Sequence, residues 1–227
     1  MSTPSRPSPR KSGFPGILLL ALALAGCGDD PTATLSLHEA AEQNAIRRVE
    51  ALLDEGTDPN LRRKDDAMKA VHLAAQQGHL EVVRLLLDRG ARVDSRQRHR
   101  DTPLLYAAQE GQLSVVELLI EHGADVSAAG RWGWTPVRQA SAKGHPEVVA
   151  LLIEKGADPN VKDDWGFSPV GQAARLGQRE VVELLIAKGA DFKAKDKWGR
   201  TPMTMAATGG HDEVVRLLAK HGASWAD

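Results

Sequence analysis

One block of apolar and polar positions recurs along the chain. Glu81-Val82-Val83-Arg84-Leu85-Leu86 returns as Ser114-Val115-Val116-Glu117-Leu118-Leu119, then as Glu147 to Leu152, Glu180 to Leu185 and Glu213 to Leu218. Two apolar residues, one polar and two apolar again is helical spacing, not the strict alternation of a strand. The spacing predicts a helix from about Ser114 to His122, with apolar residues on more than one face because neighbours pack on both sides. Ahead of each such helix the pattern predicts a shorter one that ends in small residues, as at Ala107-Ala108. It opens at Thr102-Pro103, Thr135-Pro136, Ser168-Pro169 and Thr201-Pro202. The hydroxyl can cap the first turn, and proline at the first helical position gives up no needed N–H. Gly78, Gly111, Gly144, Gly177 and Gly210 stand where the chain leaves the first helix, a place that favours positive φ. The glycines that close the second helices, from Gly56 to Gly222, are 34, 33, 33, 33 and 33 residues apart. The expected unit is a helix pair followed by a hairpin-like finger that turns back to the next Thr-Pro.

The ends of the array depart from the pattern as a stack of units requires. The first copy reads Leu35-Ser36-Leu37-His38-Glu39-Ala40-Ala41 without Thr-Pro, has Asn44 for the inter-helix glycine, and places Arg48 where later copies have valine. That makes a polar cap. The second copy has Lys69-Ala70 in place of Thr-Pro, so a weaker helix start is expected there. A 33-residue period with Thr-Pro-Leu and Gly-Ala-Asp signatures resembles the ankyrin repeat, over residues 35–227. The resemblance implies an all-α ankyrin-repeat solenoid of six helix-turn-helix repeats. It also implies a protein-binding role, with contacts at the finger tips and on the exposed side of the first helix of each pair.

The first thirty residues have another character. Arg6, Arg10 and Lys11 precede the apolar run Ile17 to Ala25, which is too short to span a bilayer and suits a signal-peptide core. The run ends in Leu24-Ala25-Gly26-Cys27, and Cys27 is the only cysteine in the chain. This resembles the lipobox of bacterial lipoproteins. The resemblance implies a signal peptide over residues 1–26, a lipidated Cys27 with a tether over 27–34, and the repeat domain over 35–227. Two or three acyl chains on Cys27 would hold the protein on a lipid bilayer, where a single chain would not. A simple secretory signal, or a short buried segment, with an incidental cysteine is the alternative. The same resemblance implies that Gly28-Asp29 after the cysteine leans toward the outer membrane, facing the periplasm, over the inner membrane. The expected location is therefore the bacterial cell envelope.

Composition narrows the chemistry. The 227 residues are 42% apolar and 26% charged, enough to bury a core. The formal charge is −1, and removal of Arg6, Arg10 and Lys11 with the leader takes 29 cations to 26 against 30 acids, or −4. Export and negative charge disfavour nucleic acid as a partner. One cysteine cannot build an intrachain disulfide or a cysteine-rich metal site. Five of the eight histidines follow the repeat: His79, His145 and His211 at one place, His122 and His221 at another. They read as structural residues of loops and helix ends, and no metal site or cofactor is expected. Asp125, Asp158 and Asp191 read as loop-stabilising acids, and adjacent Asp163 and Asp164 should point apart. Gly166-Phe167-Ser168 reads as a repeat start rather than a nucleophile elbow. The chain is expected not to be an enzyme.

The variable positions suggest where a partner binds. Trp132, Trp165 and Trp198 share one finger position, with Trp134 and Phe167 just after the glycine in two of the fingers. Rigid amphipathic aromatics favour interface hot spots, though each could instead lie on the next finger and support the stack. Arg131 precedes the first of them. Arg175 and Tyr106 belong to the first-helix positions, beside Gln76, Gln77, Gln109, Glu110, Lys143 and Leu176. Toward the N-terminus, Arg96 and Arg98 lead a basic finger with Arg92, His99 and Arg100, and Arg62-Arg63-Lys64 lies on the finger before. Those cations could meet anionic lipid or an acidic partner, or simply be solvated. The expected protein is a monomeric, membrane-tethered binding module with an unidentified protein partner. Two roles fit it: an immunity protein against a toxin or effector enzyme, or an accessory scaffold for a resident periplasmic enzyme.

Overall fold

The structure, a computed structural model, describes Thr32 and residues 34–226. The expected signal peptide, Cys27 and most of the tether lie outside the described residues. Within them the chain forms six helix pairs. These are α1 (Leu37–Glu42) with α2 (Ile46–Asp54), α3 (Ala70–Gln77) with α4 (Leu80–Asp88), and α5 (Pro103–Gln109) with α6 (Leu113–Glu121). They continue as α7 (Pro136–Lys143) with α8 (Pro146–Glu154), α9 (Pro169–Arg175) with α10 (Arg179–Ala187), and α11 (Pro202–Thr208) with α12 (Asp212–Lys220). No strand occurs among the described residues, so the expected all-α solenoid of six pairs is the observed fold.

The helix starts follow their sequence signals with two exceptions. Thr102 Oγ1 accepts from Leu105 N–H at 3.3 Å, Ser168 Oγ from Gly171 N–H at 3.2 Å and Thr201 Oγ1 from Thr204 N–H at 3.3 Å. Thr135 occupies the same place before α7, but its buried hydroxyl has no partner. Lys69 supplies no cap to α3, as its side chain would suggest; instead His72 Nδ1 accepts from Lys69 N–H at 3.1 Å. The helix start is thus tied from inside the first turn. The second helices begin one residue earlier than the pattern indicates, at Leu113 rather than Ser114. Gly111 has φ +72° and turns the chain sharply enough for Gln112 to serve as N-cap. Asn44 takes the glycine's part in the first pair with φ +56°, since asparagine tolerates the left-handed region better than most residues.

The core is a ladder of the repeated positions. Val82, Val83 and Leu86 of α4, Val115, Val116 and Leu119 of α6, Val148, Val149 and Leu152 of α8, and Val181, Val182 and Leu185 of α10 are all buried, and in the last pair Val214 and Leu218 of α12 are buried with Val215 partly so. Ala74 and Ala75, Ala107 and Ala108, Ala140, Ala173 and Ala174, and Ala206 are fully buried along the row of first helices. Their small side chains let this row pack more closely than the row of second helices.

Neighbouring pairs are also pinned by polar bonds. His79 Nε2 donates to Glu42 O at 3.0 Å, His145 Nε2 to Gln109 O at 3.0 Å and His211 Nε2 to Arg175 O at 3.1 Å. Each satisfies a carbonyl at the C-terminal end of the preceding first helix, which has no partner within that helix. Gln112 and Gln178 fill the same place in the other pairs and donate to Gln76 O and Ala142 O. The ring of His145 lies so close over Gly111 that a Cβ there would fall 2.6 Å from Nδ1. Glycine at this position serves the approach of the next repeat as well as the turn.

Candidate partner-binding groove

The fingers are hairpins, each closed at its base by a backbone bond across four residues. Gln97 N–H donates to Asp101 O at 3.2 Å, Gly130 to Trp134 at 2.9 Å, Asp163 to Phe167 at 3.1 Å and Asp196 to Arg200 at 3.0 Å. Single bonds then join one finger to the next, from Asp164 N–H to Trp132 O at 3.1 Å and from Lys197 N–H to Trp165 O at 3.2 Å. Asp125, Asp158 and Asp191 brace the finger bases by accepting from the backbone two residues on, at 2.9, 2.8 and 3.0 Å.

This scaffold gathers the finger aromatics. Trp132 lies edge-on to Trp134 with ring centroids 4.9 Å apart and tilted against Trp165 of the next finger at 5.5 Å. Phe167 meets Trp198, again one finger further, at 6.0 Å. Cations lie over the rings: Arg131 over Trp132 at 3.6 Å, Arg138 over Trp134 at 4.2 Å, and Arg200 over Trp198 at 4.7 Å. Arg175 approaches Phe167 at 5.8 Å. The aromatics therefore brace neighbouring fingers and still present surface. Trp132 is 37% exposed and Trp198 60%, whereas Trp134, Trp165 and Phe167 are half-buried.

Two hollows open on the first-helix side. The larger, about 700 Å³, is lined by Trp134, Trp165, Phe167 and Trp198 from the fingers, with Gln109, Arg138, Gln139, Lys143, Gln172, Arg175, Leu176 and Gln178 among its walls. The smaller, about 180 Å³, is lined by Tyr106, Arg131, Trp132 and Trp134 with Asp101, Gln97 and His99. Trp134, Gln109 and Gln139 border both. Tyr106 is half-buried, and its hydroxyl accepts from Gln97 Nε2 at 3.1 Å. Arg96 and Arg98 are exposed and line neither hollow; Arg96 Nη1 donates to Ala129 O at 3.2 Å. Eight of the ten residues expected from the sequence thus border one continuous region, and the two basic-finger arginines stand apart.

Sequence reasoning missed Arg138. It lies on α7, 4% exposed, and Nη2 donates to Asp163 Oδ2 at 2.9 Å. Burial pulls its guanidinium down to about 10, against the pull of Asp163, so it stays cationic at neutral pH. Asp163 Oδ1 accepts from Trp165 N–H at 3.0 Å and Phe167 N–H at 2.9 Å. Asp163 is buried and Asp164 exposed, so the two carboxylates do point apart. The available signal was a break in the repeat. The position of Arg138 is held by His38 and His72 in the first two pairs, whose Nε2 atoms donate to Leu61 O and Ser95 O at 3.0 and 2.9 Å. Among the described residues no group of three histidines, cysteines or acids converges as a metal site.

Comparison with known proteins agrees with this geometry. A family model described as "Ankyrin repeats (3 copies)" matches residues 37–130 and 170–227, and one described as "Ankyrin repeats (many copies)" matches 138–186. No curated protein matches the chain.

Proposed function

We propose a function from one premise: the chain belongs to the ankyrin-repeat family, whose repeats generally mediate protein–protein interaction. On this reading it is a non-catalytic binding module that holds a partner protein on its first-helix face and finger aromatics. The observation that carries it is the groove of about 700 Å³, where four finger aromatics meet residues of α7 and α9. Aromatic surface of this kind supplies contact area at small entropic cost. Trp198 is 60% exposed, so Trp198→Ala should leave the melting temperature nearly unchanged. The same substitution should reduce capture of the partner from crosslinked envelopes. Undiminished capture by the variant would count against the groove.

The proposed setting is the bacterial envelope. Leu24-Ala25-Gly26-Cys27 at the end of the apolar run supports an acyl anchor on Cys27. Among the described residues no helix is long and apolar enough to cross a membrane. The tether would hold a monomer at the bilayer, facing the periplasm, with no role for nucleic acid. Cys27→Ser should leave the protein unprocessed or in the soluble fraction, as membrane flotation would read. Normal membrane association of that variant would overturn the anchor.

A further inference from the structure

Two buried donors in the wall of the groove have nothing to bond. Trp134 Nε1 and Arg138 Nε are both sealed from solvent without a hydrogen-bond partner, and both residues line the groove. An unpartnered buried polar group is costly, and a charged one more so, so two orphans side by side mark a place for something that supplies acceptors. Indole and guanidinium only donate. Asp163 takes Arg138 Nη2 on Oδ2 and the backbone N–H groups of Trp165 and Phe167 on Oδ1, and neither orphan donor bonds to it. Lys143 and Arg175 add positive charge at the rim, and no residue that lines the groove is acidic.

From this we infer that the groove takes an extended segment of a partner protein in which an acidic side chain stands beside an apolar one. The carboxylate docks on Arg138 and Trp134, whose donors reach it by a change of rotamer. The planar fork of a guanidinium matches a carboxylate with two parallel bonds. The apolar neighbour lies against Trp165 and Trp198. The groove crosses the third to fifth repeats, two steps of about 8–10 Å. An extended chain at about 3.3 Å per residue covers that with about six residues. This inference rests on the groove being the partner site.

The test is selection of displayed random peptides on the detergent-solubilised full chain, followed by affinity measurement. Enriched peptides should carry Asp or Glu next to an aromatic or aliphatic residue, and replacing that acid by its amide should weaken binding about tenfold or more. Lys143→Glu with Arg175→Glu, both at exposed positions, should weaken it similarly without disturbing the fold. Arg138→Met combined with Asp163→Asn, which leaves no buried charge, should do the same. Peptides that Trp198→Ala releases but that show no preference for an acid would sink the inference and leave the groove standing. Binding indifferent to Trp198→Ala would sink both.

Discussion

Arg138→Met is expected to lower the free energy of unfolding by about 3–5 kcal/mol, the range for breaking one side of a buried ion pair. The loss comes less from the arginine than from what it leaves behind. The Asp163 side chain is fully buried, and Arg138 Nη2 at 2.9 Å is the cation paired with it. Its other two bonds come from the backbone of its own finger, so it cannot turn to water without opening the hairpin that holds Trp165 and Phe167. Adding Asp163→Asn should return most of the loss, because an amide oxygen still accepts from both N–H groups and carries no charge. Urea denaturation followed by helical circular dichroism measures both, as a shift of midpoint at constant slope. A double variant no more stable than the single one would assign the arginine's contribution to packing on Trp134, 4.2 Å from its guanidinium.

The second large effect is a loss of stability in mild acid through His72. Burial holds its pKa down at about 4, with Lys69 nearby acting in the same direction. The geometry asks for the neutral ring: Nε2 donates to Ser95 O at 2.9 Å while Nδ1 accepts from Lys69 N–H at 3.1 Å. A second proton on Nδ1 would face a donor. The unfolded chain binds that proton near the ordinary value of about 6.5, before the folded one does. The contribution of His72 is therefore complete above pH 6.5, falls as pH drops from 6.5 toward 4, and changes no further below. By pH 4.5 the loss should be about 2–3 kcal/mol, because a proton bound by the unfolded chain alone costs roughly 1.4 kcal/mol for each step of one in pH. The control is His72→Leu, which borrows the residue that Leu105 supplies at the same place in the third repeat. The variant should be less stable at pH 7.5, having lost both bonds, yet flatter between pH 7.5 and 4.5. Parallel stability curves for the two proteins would refute the assignment.

The repeated blocks made most of the fold legible from residue order. The 33-residue period located the helix pairs because the residues that form each helix also mark its ends. Val115, Val116, Leu118 and Leu119 fall on the spacing of a buried helix and are buried. His145 and His211 read as structural from their recurrence, and each bonds a carbonyl of the preceding repeat. The finger aromatics were legible as a group but not as a set of pairs. Equal spacing suggested that Trp132, Trp165 and Trp198 were equivalent. Trp132 instead adopts φ +58° and lies against both Trp134 and Trp165, while Trp198 meets Phe167. Arg138 was illegible because an arginine on a short helix ordinarily reads as solvated surface.

What the sequence determined by itself is whatever local bonding and near-neighbour repetition dictate. A helix closes its hydrogen bonds within four residues, a cap within three, and a fixed period decides which repeat lies beside which. Hence the all-α class, the number of pairs, the capped ends and the core ladder follow from residue order. The tertiary structure alone decided which buried polar atoms find partners. Arg138 meets Asp163 across 25 residues of sequence, whereas Trp134 Nε1 and Thr135 Oγ1 meet nothing. A hydrogen bond is made or lost within about half an ångström. A repeat pattern sets neighbours only to the width of a helix, so this choice waits for the packed side chains.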